Sequence, residues 1–161
     1  MGTYFYIYTG GEPLVRKHDL IKLCEKHNDA IFMCFTNSTL IDEQFCQDML
    51  RVKNFVPVIS VEGFEEATDS MNLLKSHRLP FGISTCYTSA NIKDVSTEAY
   101  IDQLVEWGAY FVWYFHYMPV GKDAVPELLP SPEQREYMYH QIRELRGKKP
   151  IFMLDFQNDG E

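Results

Sequence analysis

The chain is predicted to be an α/β protein built on a parallel sheet. Three observations lead there. Short apolar or aromatic segments alternate with segments of helical periodicity along all 161 residues. Some of the apolar segments are unbroken, as in strands covered on both faces. Glycines and small polar residues collect just after these segments, at the strand ends where such sheets place ligands.

Taken in order, Tyr4 to Thr9 reads as the first strand, rich in aromatic residues. Gly10-Gly11-Glu12 follows, and Pro13 opens a helix that runs to about His27. Leu14, Ile21 and Cys24 share one face of that helix, flanked by Leu20 and Leu23. Ala30 to Phe35 is expected to be a strand buried on both faces, ending in Thr36-Asn37-Ser38-Thr39. Ile41, Phe45, Met49 and Val52 form the stripe of the next helix. Phe55 to Val61 is the third strand, with Pro57 placed near its start because it lacks an N–H. Ser60 and Glu62 at its end stand two apart and so point to one face.

Ala67, Met71 and Leu74 mark the third helix, which closes near His77-Arg78. Phe81 to Tyr87 is the fourth strand, with Ser84, Cys86 and Thr88 on one face. Thr97 to Trp107 is a helix with Tyr100, Ile101, Leu104 and Val105 inward and Gly108 past its end. Tyr110 to Tyr117 is an aromatic fifth strand that ends in Met118-Pro119-Val120-Gly121. Ser131, Pro132 and Gln134 spell an N-cap, a first-turn proline and a capping box for a helix ending at Gly147. Ile151 to Phe156 is the last strand. Strand and helix in alternation call for right-handed crossovers. An open doubly wound sheet and a partial barrel both fit this pattern.

Net charge is -8, from 15 basic and 23 acidic residues, which argues against a nucleic-acid backbone as partner. No apolar run is long enough to span a membrane. Met1-Gly2-Thr3 leads straight into a strand without a basic and apolar leader, so a cytoplasmic location with reduced thiols is expected. Cys24, Cys34, Cys46 and Cys86 do not stand at metal-ligand spacing. Cys34 and Cys86 read as small buried hydrophobes within strands. His116 reads as a packed histidine, and the aromatic residues between 110 and 117 mostly as core.

Three segments resemble one family. Thr9-Gly10-Gly11-Glu12-Pro13-Leu14 is similar to the GGEP motif of radical S-adenosylmethionine (radical SAM) enzymes. Thr36-Asn37-Ser38-Thr39-Leu40-Ile41 resembles that family's TNGT-type strand end, with Ser38 where the family often has glycine. Val58-Ile59-Ser60-Val61-Glu62-Gly63 resembles its S-x-D/E-G segment. Trp113 to Gly121 stands where adenine contacts would lie. The resemblance covers nearly the whole chain, as one core-like domain over residues 1–161. Residues 122–161 would be a trailing helix and strand that lead toward a further C-terminal segment.

The resemblance implies a partial (β/α)6 TIM-like barrel of parallel strands, without its first strand and helix unit. It implies that Gly10, Gly11 and Glu12 hold the methionyl amino group of S-adenosylmethionine, with Pro13 among the cofactor-binding residues. Ser60 and Glu62 would meet the ribose hydroxyls or nearby polar groups, Asn37 would be a further cofactor-binding residue, and Ser84 and Thr88 would line the site. Backbone at Tyr117 to Met118 would contact adenine, with Pro119 beside it.

The family's CxxxCxxC motif, whose thiolates hold a 4Fe-4S cluster, is not found in these residues. The resemblance therefore implies the core of a longer enzyme, with the cluster and an external electron donor belonging to the complete protein. The substrate would be a peptide or a small metabolite. Two other readings stand beside it. One is a non-catalytic copy that keeps a remnant S-adenosylmethionine surface. The other is an unrelated α/β enzyme using Glu12 and Glu62 for acid/base chemistry.

Overall fold

The computed structural model describes residues 2–61, 63 and 68–159. Six strands hydrogen-bond in sequence order in one sheet: β1 (Phe5–Tyr8), β2 (Ile31–Thr36), β3 (Phe55–Ser60), β4 (Gly82–Tyr87), β5 (Phe111–His116) and β6 (Phe152–Asp155). The strands are parallel, as in an incomplete TIM-like barrel. A doubly wound sheet reverses its strand order at a switch point. The uninterrupted order from β1 to β6 therefore selects the barrel class. Helices α1 (Lys17–Lys26), α2 (Glu43–Val52), α3 (Asp69–Ser76), α5 (Glu98–Trp107) and α6 (Pro132–Arg146) fall in the connections. A one-turn α4 (Ile92–Val95), not anticipated from periodicity, precedes α5.

The chain divides into two compact units. The first comprises residues 1–60 and 67–82. Here β1 pairs with β2 from Phe5↔Ile31 to Tyr8↔Cys34, and β2 with β3 from Phe32↔Phe55 to Thr36↔Ile59. The helix expected from Pro13 begins instead as a 3-10 turn, Pro13–Arg16, before α1 takes over. Leu14, Leu20, Ile21 and Cys24 are buried as expected, whereas Leu23 is exposed. Lys17 ties α1 to α2 by donating to the Leu40 carbonyl (3.0 Å) and to Asp42 (2.6 Å). Asp42 also caps α2 by accepting from the Phe45 N–H. Phe45 and Met49 are both 1% exposed, and each such burial contributes about 1.5–3 kcal/mol.

One expectation needs correction. β2 is not covered on both faces: Phe32, Cys34 and Thr36 are buried, but Ile31 is half exposed and Met33 and Phe35 are partly open. Its apolar run serves one packed face and one open face. Pro57 lies third in β3, near its start as expected, paired with Cys34. Its missing N–H is harmless there. Val61 donates to Ser84, so the same register four residues earlier sets Pro57 opposite Pro80, before β4 begins. Asn54 joins the layers by donating from Nδ2 to the carbonyls of Cys24, His27 and Ala30.

The second unit comprises residues 61–66 and 83–161. Tyr100, Ile101, Leu104, Val112 and Tyr114 are fully buried. Their polar tips are matched: Tyr100 Oη pairs with Thr85 Oγ1 at 2.8 Å, and Tyr114 Oη donates to the Val95 carbonyl at 2.9 Å. Ser131 and Gln134 form the expected capping box of α6. Thr97 caps α5, and Gly108 ends it at φ 95°. Lys149 reaches Glu98 and Asp102 on α5.

Among the described residues β1 pairs with β2 alone, and it carries four consecutive exposed or half-exposed apolar side chains. Phe5 is 45% exposed, Tyr6 40% and Ile7 42%, while Tyr6 and Tyr8 stack on Phe32 from the packed side. An uncharged edge of this kind templates intermolecular pairing. The chain is expected to associate with rising concentration in sedimentation velocity. Ile7→Lys should reduce that association while changing stability by less than about 1 kcal/mol.

Candidate functional site

In the first unit the turn after β1 and the end of β2 border an open pocket of about 270 Å³. Thr9, Gly10, Gly11, Glu12, Phe35, Thr36, Asn37 and Ser60 line it. Gly10 and Gly11 have φ of 89° and 54°, in the left-handed region. A Cβ built on either would meet nothing within 4 Å, so the backbone there is bare toward open space. This is the close approach that paired glycines permit.

Glu12 is the organising side chain. It precedes the 3-10 turn as its N-cap, with Oε1 accepting from the Leu14 N–H at 2.9 Å. The same oxygen accepts from Thr36 Oγ1 at 2.8 Å, and Oε2 accepts from the Asn37 N–H at 2.9 Å. One carboxylate thus joins the β1 turn to the β2 end. Three of its roughly four acceptor positions are used, leaving about one for a ligand.

Thr36, 3% exposed, is the member that sequence reading passed over. Its hydroxyl donates to Glu12 and accepts from the Ser38 N–H at 3.0 Å. The signal was positional: parallel strands in register bring the end of β2 beside the turn after β1. Asn37 lines the pocket, but its Oδ1 is turned to its own loop, accepting from Thr39 N–H and Oγ1. Ser38 adopts φ 66°, which accounts for glycine suiting this position. It is 2% exposed and its Oγ accepts from Ser70 Oγ at 2.8 Å. Pro13 starts the 3-10 turn and does not line the pocket. Glu62 lies outside the described residues.

The remaining predicted residues belong to the second unit. The Ser84 carbonyl accepts from the Val61 N–H at 2.9 Å. Thr88 is engaged in a turn with Asn91, whose Oδ1 accepts from its N–H at 2.7 Å. Tyr117 donates its N–H to the Tyr87 carbonyl, and its Oη accepts from the Val125 N–H at 2.9 Å. Met118 is 57% exposed beside half-buried Pro119.

The cysteines do not fit as ligands for an iron-sulfur cluster. Among the described residues no three His, Cys, Asp or Glu side chains are grouped to hold a metal ion. Cys24, Cys34 and Cys46 are wholly buried in apolar surroundings. Burial pushes the Cys24 and Cys46 thiols up to about 11. Burial and then the nearby Glu12 charge push Cys34 up to about 12. Such thiols resist the deprotonation that ligation requires.

No family model matches the chain. It is 26% identical over 172 residues to an uncharacterized protein of Methanocaldococcus jannaschii, covering 93% of this chain and 57% of that protein. The chain thus spans little more than half the length of that curated relative. Among solved structures it superposes on native anSMEcpe with bound AdoMet at a TM-score of 0.69 and 18% identity, covering 95% of this chain and 50% of that one. Streptococcus suis SuiB bound to S-adenosylmethionine gives 0.67 and 16%, covering 94% and 39%. A domain of pyruvate-formate lyase-activating enzyme from Bacteroides vulgatus gives 0.56 and 12%, covering 92% and 96%.

The fold is the one these solved structures share. In it the pocket lies where the Gly10-Gly11-Glu12-Pro13 segment leaves β1, and the carboxylate in it holds the turn and the strand end together.

Three outcomes are expected. Glu12→Ala should destabilise the chain by about 2–4 kcal/mol in urea unfolding, through loss of a cap and an orphaned buried Thr36 hydroxyl. Glu12→Gln should cost less but still measurably, since an amide has one acceptor too few for three donors. In native iodoacetamide labelling at neutral pH, half-buried Cys86 should react first, with Cys24, Cys34 and Cys46 labelled only on unfolding.

Proposed function

We propose that the pocket of the first unit binds the methionyl end of S-adenosylmethionine, and that the chain is the core portion of a radical SAM enzyme. The observation that carries this is the Thr9–Glu12 turn: two left-handed glycines bare to open space beside a carboxylate already oriented by three hydrogen bonds. Backbone carbonyls of Gly10 and Gly11 and the free lone pair of Glu12 supply acceptors for an ammonium group. Ser60 at the rim and the Asn37 amide offer further hydrogen bonds. A pocket of 270 Å³ suits one end of the molecule, not all of it. Ser84, Thr88, Tyr117, Met118 and Pro119 are assigned to the rest of the molecule on the resemblance, as is Glu62.

S-adenosylmethionine in such enzymes supplies a 5′-deoxyadenosyl radical for hydrogen abstraction. This chain's own part is to bind and orient the cofactor. The cysteines here do not fit an iron-sulfur cluster, so no electron-transfer step is assigned to these residues. Two of the solved structures of this fold carry peptides: native anSMEcpe holds AdoMet with a Kp18Cys peptide, and SuiB holds precursor peptide SuiA. A peptide substrate for the complete protein is proposed on that support. The misfit of the cysteines favours one second reading, a chain that binds S-adenosylmethionine without turning it over.

Isothermal titration should show S-adenosylmethionine binding that is weakened at least about tenfold by Gly10→Val, which closes the bare backbone and strains a left-handed position. After anaerobic iron-sulfur reconstitution this chain should yield no 5′-deoxyadenosine above a protein-free control. Absence of binding would remove the proposal. Product formation would overturn the assignment of the cysteines.

A further inference from the structure

The second unit holds a buried polar cluster that the cofactor reading does not use. Tyr87, His116 and Asp155 are the last residues of β4, β5 and β6. Tyr87 and Asp155 are both 0% exposed. Tyr87 Oη, His116 Nδ1 and Asp155 Oδ1 are each buried with no hydrogen-bond partner. The rings of Tyr87 and His116 meet edge to face at 6.1 Å.

Asp155 also sits at the root of a tightly bonded turn. Its Oδ2 accepts from Asn158 Nδ2 at 2.6 Å. Its N–H donates to Asp159 Oδ2 at 2.9 Å, and its carbonyl accepts from the Asp159 N–H at 2.8 Å. Asp159 is paired in turn with Arg146 and, at 3.4 Å, with Arg143, both on α6. Arg146 also donates from Nε to the Met153 carbonyl at 2.9 Å. Gln157 Oε1 accepts the His116 N–H at 3.1 Å, and Phe156 packs against the rings of Trp113 and Phe115. The turn therefore fastens the end of β6 to both β5 and α6.

We propose that Asp155 is the catch of a pH-sensitive latch: with its carboxyl protonated the 155–159 turn is closed on β5 and α6, and ionisation loosens it. Oδ1 accepts no hydrogen bond in this structure, so an ionised carboxyl would bury part of its charge uncompensated, which is costly, whereas the protonated acid has no charge to bury. The groups that act on it are Tyr87 from β4, Tyr114 from β5, Arg146 from α6, and Asn158 and Asp159 from the turn itself; His116 meets Tyr87, Arg135 acts on Tyr87 and His116, and Arg143 acts on Asp159.

Their electrostatics agree. Burial raises Asp155 above its ordinary value, helped by the Asp159 charge and opposed by Asn158 and Arg146. Burial and then Arg135 lower His116, which favours its neutral ring. Burial, then Asp155, raise the Tyr87 phenol. Asp159 is the reverse case: burial raises it, but Arg146, the Asp155 N–H and Arg143 together hold it below the ordinary range. Asp155 thus contributes stability fully at low pH and loses it as pH rises through its raised folded value. Asp159 contributes above the ordinary range and loses its share as pH falls through its lowered value. The latch is tightest between the two.

Carboxyl-detected NMR titration of the whole chain tests this. Asp155 should titrate above the ordinary aspartate value of about 3.9. Hydrogen-exchange protection of the His116 and Asp155 amides should fall several-fold as Asp155 ionises. Asp155→Asn, which mimics the protonated acid, should keep both amides protected at neutral pH and flatten the profile. An Asp155 that titrates at or below the ordinary value, or protection that stays flat through its titration, would overturn the proposal. So would an unchanged profile in the variant. Should the variant not fold, the wild-type titration and protection decide alone.

Discussion

The first unit depends on one carboxylate. Glu12 is bonded to the backbone of the turn it caps, to the last side chain of β2 and to the backbone just beyond. Without it, two glycines in left-handed geometry would leave the segment after β1 loosely held, since glycine loses the most freedom on ordering. The same charge that fixes the turn also supplies the pocket with its sign. The fold and the proposed recognition therefore draw on one group, and its use for both limits what can replace it.

Below that group, the polar ends of the strands contrast with what lies deeper. β2 buries Phe32 and Cys34 and turns Thr36 to Glu12. Buried thiols there are kept neutral, so they act as small hydrophobes and leave the chemistry to the rim. In the second unit the strand ends are also polar, but there the acid is sealed in. Asp155 and Asp159 are four residues apart, yet their surroundings push them in opposite directions. The difference is partner geometry: Asp159 meets two guanidinium groups, while one oxygen of Asp155 meets none.

Much of the fold was legible in the residues. Strand and helix segments were bounded by turn chemistry, as at Ser131-Pro132-Glu133-Gln134 and Thr97 with Gly108. Local capping and periodicity are short-range effects, so they survive reading without neighbours. The pocket was legible in part: Gly10, Gly11, Glu12, Asn37 and Ser60 do come together. Thr36 was missed because its role is a bond across 24 positions, which no local pattern encodes. The open face of β2 was misjudged for a similar reason, as an apolar run does not say what covers it.

By itself the sequence determined the order of elements, the start and stop of most of them, and a glycine-glycine-carboxylate turn after the first strand. Those follow from backbone freedom, capping and periodicity within a few residues. Periodicity left a doubly wound sheet and a barrel both open, the resemblance implied the barrel, and the tertiary strand order bears it out. The tertiary structure alone showed Glu12 shared between two strand ends and, at the end of β6, a buried acid with one oxygen unpartnered. Strand order, register and desolvation are set by groups far apart in the chain, and their energies exist only once those groups meet.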